Sequence, residues 1–159
     1  MEEYQKESTV RNYRLTEEIT YNFSTNNTKI RGGFSPYIYY NRSVSNREHF
    51  QDINSFDFGA HFSMQFELPW SVRLNTDVRS VSRRGYNDDS MNDDEFIWNA
   101  SLTKSFHNGI SIGIEAFDLL GQYKNVLRFV NAQGRTETIY NHLRRYAMLH
   151  MVWQFNKRK

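Results

Sequence analysis

The chain has 159 residues, with 20 Lys and Arg against 18 Asp and Glu for a formal charge of +2, and no Cys. That balance argues against a protein that binds nucleic acid or another polyanion by bulk charge, and the missing Cys excludes a disulfide scaffold and Cys-ligated zinc. No apolar run approaches the ~18 residues of a membrane helix, and the start, Met1-Glu2-Glu3-Tyr4-Gln5-Lys6-Glu7, has no apolar stretch of the kind a signal peptide needs.

Period-two alternation then runs along almost the whole chain and predicts seven strands, at 11–24, 29–43, 51–67, 70–82, 95–106, 110–118 and 144–155. In the first, Tyr13, Leu15, Ile19, Tyr21 and Phe23 share a parity that Glu17 breaks. In the second, Ile30, Phe34, Ile38 and Tyr40 share one, with Pro36 between them. A mid-strand Pro has no ladder donor, so a bulge or an edge is expected there. The third is the cleanest: Phe56, Phe58, Ala60, Phe62, Met64 and Phe66 alternate with Asp57, Gly59, His61, Ser63, Gln65 and Glu67. Trp70, Val72, Leu74, Thr76 and Val78 follow, then Phe96, Trp98, Ala100 and Leu102, then Ile110, Ile112, Ile114 and Ala116. The last strand places Ala147, Leu149, Met151, Trp153 and Phe155 on one face, opposite the less cleanly polar Tyr146, Met148, His150, Val152 and Gln154. No helix of two or more turns is predicted. Residues 1–10 read as an extracellular loop or a disordered start, and 156–159 as a basic tail.

The connections alternate in length. Thr25-Asn26-Asn27-Thr28, Leu68-Pro69-Trp70 and His107-Asn108-Gly109 are short, and Gly109 suits the left-handed position of a three-residue hairpin loop. The links 44–50, 83–94 and 119–143 are longer and polar. In an up-and-down meander all the short turns then lie at one end and all the long loops at the other, as in outer-membrane barrels. The strands are longer than the ~5–6 residues usual in soluble sheets and suit a membrane span of ~9–11 residues. The mean hydropathy of −0.76 does not oppose this, because a transmembrane strand is half polar. Aromatic residues are 16% of the chain. Trp70, Phe106, Trp153 and Phe155 fall at the short-turn ends of their strands, and Tyr40, Phe56 and Phe96 near the long-loop ends, as two interfacial belts would. Lys104 lies on the apolar face near the short-turn end, where its ammonium can snorkel to water.

The fold expected is therefore all-β: an antiparallel up-and-down meander of about seven long strands, forming a partial, open transmembrane β-barrel. Phe58, Phe62, Phe66, Trp98, Ile112, Trp153 and Phe155 are expected to face lipid. Asp57, His61, Arg73, Asp77, Arg79 and Glu115 are expected to face the lumen. If parity is kept through the 68–70 turn, Asp77 or Asn75 falls opposite His61, and Arg73 opposite Gln65 or Ser63. Alternation alone does not fix which face is outside, since a soluble sandwich has the same period with its apolar face inward. Strand length, loop asymmetry and the belts favour the outward reading.

The stretches Ala116-Phe117-Asp118-Leu119-Leu120-Gly121-Gln122, Val130-Asn131-Ala132-Gln133-Gly134-Arg135-Thr136-Glu137-Thr138, Arg145-Tyr146-Ala147-Met148-Leu149 and Trp153-Gln154-Phe155-Asn156-Lys157 resemble the end of a Bacteroidetes outer-membrane β-barrel of the TonB-dependent-receptor-like group. The resemblance covers most of the chain and is strongest over 96–159. The final strand also resembles the C-terminal signal read by barrel-assembly machinery, although Asn-Lys-Arg-Lys follows Phe155. The resemblance implies a Gram-negative outer-membrane receptor of about twenty-two strands with a plug. Such a receptor imports a bulky nutrient with energy from a TonB-type coupling complex. This sequence shows no plug, no energy-coupling box and no export signal, and seven strands do not close the smallest barrel of eight. Residues 1–159 thus read as the C-terminal segment of an outer-membrane barrel domain or as a truncated reading frame. Its partners would be outer-membrane lipid and the rest of the barrel and plug.

Chemistry is sparse. The run Asn87-Asp88-Asp89-Ser90-Met91-Asn92-Asp93-Asp94-Glu95 is rich in oxygen ligands but lacks the glycine and terminal Glu spacing of an EF-hand. A solvated loop is the favoured reading, with a weak surface cation site beside it. His49, His61, His107, His142 and His150 have no metal-ligand spacing, and no nucleophile elbow is present. Arg83, Arg84, Arg144 and Arg145 flank long loops, as interface anchors or contacts to anionic lipid. No enzyme, cofactor, metal or nucleic-acid role is expected. Two alternatives stay open: a soluble ligand-binding β-barrel, and an outer-membrane adhesin or enzyme barrel.

Overall fold

The computed structural model describes residues 8–27, 29–48, 50–131 and 134–155. It is all-β. The strands are β1 (Val10–Glu18), β2 (Tyr21–Ser24), β3 (Ile30–Ser45), β4 (Ile53–Leu68), β5 (Val72–Arg84), β6 (Asp94–Ser105), β7 (Ile110–Phe117), β8 (Val126–Asn131), β9 (Gly134–Ile139) and β10 (Tyr146–Trp153). The main sheet runs β1-β3-β4-β5-β6-β7-β10, with β2 continuing the first strand along β3, and every pair is antiparallel. This is the expected seven-strand meander. The sheet is open: among the described residues, neither β1 with β2 nor β10 has a second neighbour.

Three details depart from the sequence reading. First, Pro36 makes no bulge. The register passes through it unbroken, with Glu18 facing Tyr37 and Tyr21 facing Phe34. Ile19 N donates to Pro36 O at 3.2 Å, and the reciprocal bond is the one Pro cannot make. The missing donor thus points at the edge strand, where β1 and β2 part. Second, the β4–β5 register differs from the expectation. His61 faces Arg79 rather than Asp77 or Asn75, and Arg73 faces Glu67 rather than Gln65 or Ser63. The turn explains it. Trp70 and Ser71 both take left-handed φ (63° and 58°), so three residues suffice to reverse the chain and the strands run on to the closing pair Leu68–Val72. Third, the 119–143 link is not a plain loop but carries the hairpin β8–β9. The β6–β7 turn is as expected, with Gly109 left-handed (φ 78°) and Phe106 N bonded to Ile110 O at 2.8 Å.

Cross-strand partners share a face, so register sorts the side chains. One face carries rows such as Phe62–Val78–Trp98 and Phe66–Leu74–Leu102–Ile114–Leu149. Along β5 this face is free of charge from 72 to 82, which fits a span of ~9–11 residues. Glu17 shares a row with Ile38, Phe58, Ser82 and Asp94, at the charged long-loop margin, so its break in parity falls outside the apolar band. The apolar face is uncovered: Phe58 is 40% exposed, Ile114 52% and Leu149 75%. Buried hydrophobic residues among those described are Ile53, Met91 and Ile97.

Several polar groups on the apolar face are satisfied within the sheet or its turn. Trp98 Nε1 donates to Thr76 Oγ1 at 2.8 Å, and Thr76 Oγ1 donates to Asn99 O at 3.1 Å. Ala60 N donates to Ser80 Oγ at 3.1 Å. Lys104 sits in the row of Val72 and Leu68, and its ammonium donates to Trp70 O of the neighbouring turn.

Candidate functional site

The opposite face and the loops at one end form the candidate site. All six residues expected at the lumen lie on this polar face, and all seven expected at lipid lie on the apolar side, with Phe155 just past β10. The six do not form one cluster. Asp57, near the long-loop end, accepts from Tyr86 Oη at 2.8 and 3.0 Å. His61 and Arg79 face each other in mid-strand. Asp77 accepts from Asn99 Nδ2 at 3.0 Å. Arg73, at the short-turn end, pairs with Glu67 at 2.7 Å. Glu115 Oε1 lies 3.7 Å from His150 Nδ1. The face is a polar wall with local partners, rather than a convergent catalytic group.

The long connections close over one end of this wall and are tied to one another. Asn87 Nδ2 reaches the carbonyls of Gln51 and Asp52 at 3.4 Å. Arg128 Nη1 donates to Ser90 O at 3.0 Å, and Arg135 pairs with Asp88. Asp93 holds both Arg83 (3.1 Å) and Lys124 (2.6 Å), and Arg84 pairs with Asp94 at 2.8 Å. The acidic run 87–95 is therefore not a freely solvated loop, because most of its carboxylates are engaged by basic side chains. Among the described residues no three His, Asp or Glu side chains are grouped as metal ligands would be. His49 and the 156–159 tail lie outside the described residues.

Burial and partners set the charge state of this cap. The Tyr86 phenol is pushed up to about 12, first by burial and then by the Asp57 carboxylate it bonds. Asp88 is held below its usual range, chiefly by its hydrogen bonds to Ser90 and then by Arg135. Glu137 is held low chiefly by Arg128, which it meets at 2.6 Å.

Among the described residues, cavities open between wall and cap. One, of about 390 Å³, lies over β3–β6 and is lined by Tyr37, Tyr39, Asp57, Arg79, Lys124 and Tyr140, among others. A second, of about 550 Å³, lies over β6, β7 and β10 against His142 and Tyr123. A third, of about 420 Å³, lies where three loops meet, on Phe50, Ile53, Met91 and Val130, with Arg47 and Arg135 at its rim. These are the sizes of small-molecule clefts. Tyr37 and Tyr39, missing from the expected lumen residues, were accessible to the parity rule. Tyr86 and Lys124 were not, because no periodicity places a loop side chain.

Compared with protein-family models, with curated proteins and with solved structures, the chain finds no match in any of the three.

Proposed function

We propose that this chain is a wall segment of an outer-membrane β-barrel, of the TonB-dependent-receptor-like kind that its C-terminal stretches resemble. The segment seals the bilayer with one face and lines an aqueous lumen with the other. Nutrient uptake belongs to the complete barrel with its plug and its TonB-type energy-coupling complex, and barrel-assembly machinery inserts the strands. The segment itself has no catalytic role.

One observation carries this reading: an apolar face spanning seven strand positions is left bare while the Trp98 indole and the Thr76 and Ser80 hydroxyls in its middle bond within the sheet. Exposed apolar patches of such extent mark a surface that meets something other than water, and unsatisfied polar groups in hydrocarbon cost several kcal/mol each. A soluble ligand-binding barrel would turn 56, 58, 62, 64 and 66 inward, yet Phe56 and Phe58 lie on the exposed face.

Tryptophan quenching tests the proposal. The chain is refolded into phosphatidylcholine vesicles with bromines deep in the acyl chains, using a variant that keeps Trp98 but has Trp70→Phe and Trp153→Phe. Strong quenching and a blue-shifted emission are expected. Recovery of the chain as a folded monomer in detergent-free buffer, with Trp98 blind to the bromines, overturns the reading.

A further inference from the structure

We infer that the cavity enclosed by β6, β7, β10 and the 118–145 connection binds an organic ammonium ion, an amine carried on an apolar body. The inference goes beyond the wall reading and rests on the side chains of the cavity itself. Aromatic rings line two sides of it. Phe117 and Tyr146 face each other in register across β7 and β10, and their rings stack at 4.8 Å. From the connection, Tyr123 and His142 meet edge to face at 4.5 Å. Ring faces are electron-rich and attract cations, most strongly where water is excluded. Leu143 and Met148 add apolar surface, and the volume of about 550 Å³ suits a small aromatic or alkyl amine.

Asp118 sets the sign of the ligand's charge. Among the described residues its carboxylate is the one formal charge in the lining, and it is only 5% exposed. Its left-handed backbone (φ 49°), which Asp tolerates, is pinned where Asp118 N donates to Asn99 Oδ1 at 2.9 Å and Leu119 N to Trp98 O at 2.8 Å. Each carboxylate oxygen accepts one backbone N–H, from Gln122 at 2.9 Å and from Tyr123 at 3.2 Å, so each keeps an acceptor site unused. Among the described residues no basic side chain pairs with it. Lys124 is held by Asp93 at 2.6 Å and Arg145 by Leu120 O at 2.8 Å. A buried carboxylate without a counter-ion is costly, and a bound ammonium supplies one. Both ring nitrogens of His142 are also buried and unbonded, a cost that an ammonium N–H offered to the imidazole relieves. An anionic ligand meets like charge here. Asn99, which could have served a neutral polar ligand, has its amide used at both ends, by Asp118 N and by Asp77 at 3.0 Å.

The test uses the full chain refolded into dodecyl maltoside micelles, which carry no competing ammonium group. Phenethylamine is titrated beside phenethyl alcohol, its neutral near-isostere, and phenylacetate, with binding read by saturation transfer to the ligand ring protons in proton NMR. The amine should bind about tenfold more tightly than the alcohol, and phenylacetate should not bind. Asp118→Asn keeps an acceptor and a residue that tolerates the left-handed backbone, and should weaken the amine about tenfold while leaving the alcohol unchanged. Tyr146→Leu keeps apolar bulk but removes a ring, and should weaken the amine about fivefold. Asp52→Asn, outside the cavity, should change nothing. No binding of the amine, equal binding of amine and alcohol, a preference for phenylacetate, or unaltered amine affinity in a folded Asp118→Asn chain overturns the inference. Where Asp118→Asn loses its β-sheet circular dichroism, Tyr146→Leu decides, and unaltered amine affinity in it overturns the inference. The two levels stay separable. A chain that folds and binds the amine in detergent-free buffer defeats the wall reading alone, whereas a membrane-inserted chain that ignores the amine defeats only this inference.

Discussion

Val78→Arg places a guanidinium in the middle of the apolar face, in the row Phe62–Val78–Trp98. That row lies between the Leu68–Val72–Lys104 row at one margin and the Phe58–Ser82–Asp94 row at the other. Arg at the midplane of a barrel's lipid face costs ~2–4 kcal/mol, falling to ~0–1 near the interfaces. At about 1.4 kcal/mol per tenfold change, the central variant should lose roughly 30- to 1000-fold in its folding equilibrium. Stacking on the flanking Phe62 and Trp98 rings recovers about 0.5–1 kcal/mol of that, so the lower half of the range is expected. Phe56→Arg, at the long-loop margin, should cost far less, and Ser101→Arg on the polar face should stay within ~0.5 kcal/mol. The assay is reversible urea titration of refolding into thin-chain phosphatidylcholine vesicles, followed by tryptophan emission. The discriminating quantity is the difference between faces, not any single value. If Val78→Arg and Ser101→Arg cost the same, the apolar face does not meet hydrocarbon. A neutral Val78→Arg beside a severe Ile97→Arg would point to a water-soluble fold with its core on the other side.

Three further outcomes follow from local geometry. Gly59→Ala drives a methyl group to 2.0 Å from Ser80 O and 2.9 Å from Tyr37 Oη, so β4 and β5 must separate, and a loss of about 1–3 kcal/mol in the same urea assay is expected; an unchanged midpoint would refute the close approach. Tyr86 should ionise about two pH units above an ordinary phenol in ultraviolet titration. Its folded-state value is raised, so its stabilising contribution is complete below pH ~10 and is lost as pH rises towards about 12; Tyr86→Phe should abolish that late step. Asp88 and Glu137 are held low by their donors, so the β8–β9 hairpin should stay docked at neutral pH and loosen only as pH falls through and below the usual carboxylate range near pH ~4. Arg135→Ala should loosen it already at pH 7, read as faster amide exchange over 126–139, and equal exchange in both proteins would count against the clamp.

Much of the fold was legible because burial in a sheet has period two. Even where a strand is interrupted, as at Ile19 and Thr20, parity carries across, because the gap leaves the register of β1 and β2 on β3 continuous. What escaped was governed by single dihedrals or by charges. The left-handed pair Trp70 and Ser71 shifted the β4–β5 register, and neither residue type announces that conformation. The hairpin β8–β9 was unread because much of its support is ionic, from Arg128, Arg135, Asp88 and Glu137. Alternation was therefore a weak signal there. The candidate site divided likewise: the wall residues followed from parity, while the cavities required the loops to be placed upon them.

Pro36 has one more effect. Because it offers no hydrogen to the strand beside it, the seam between the outermost ribbon and the rest of the wall lacks a stitch halfway along. Peeling should begin at Ile19 and Thr20, letting the two short halves of that ribbon lift independently while the inner seams hold. The outer margin of the sheet is thus the one most easily unfastened.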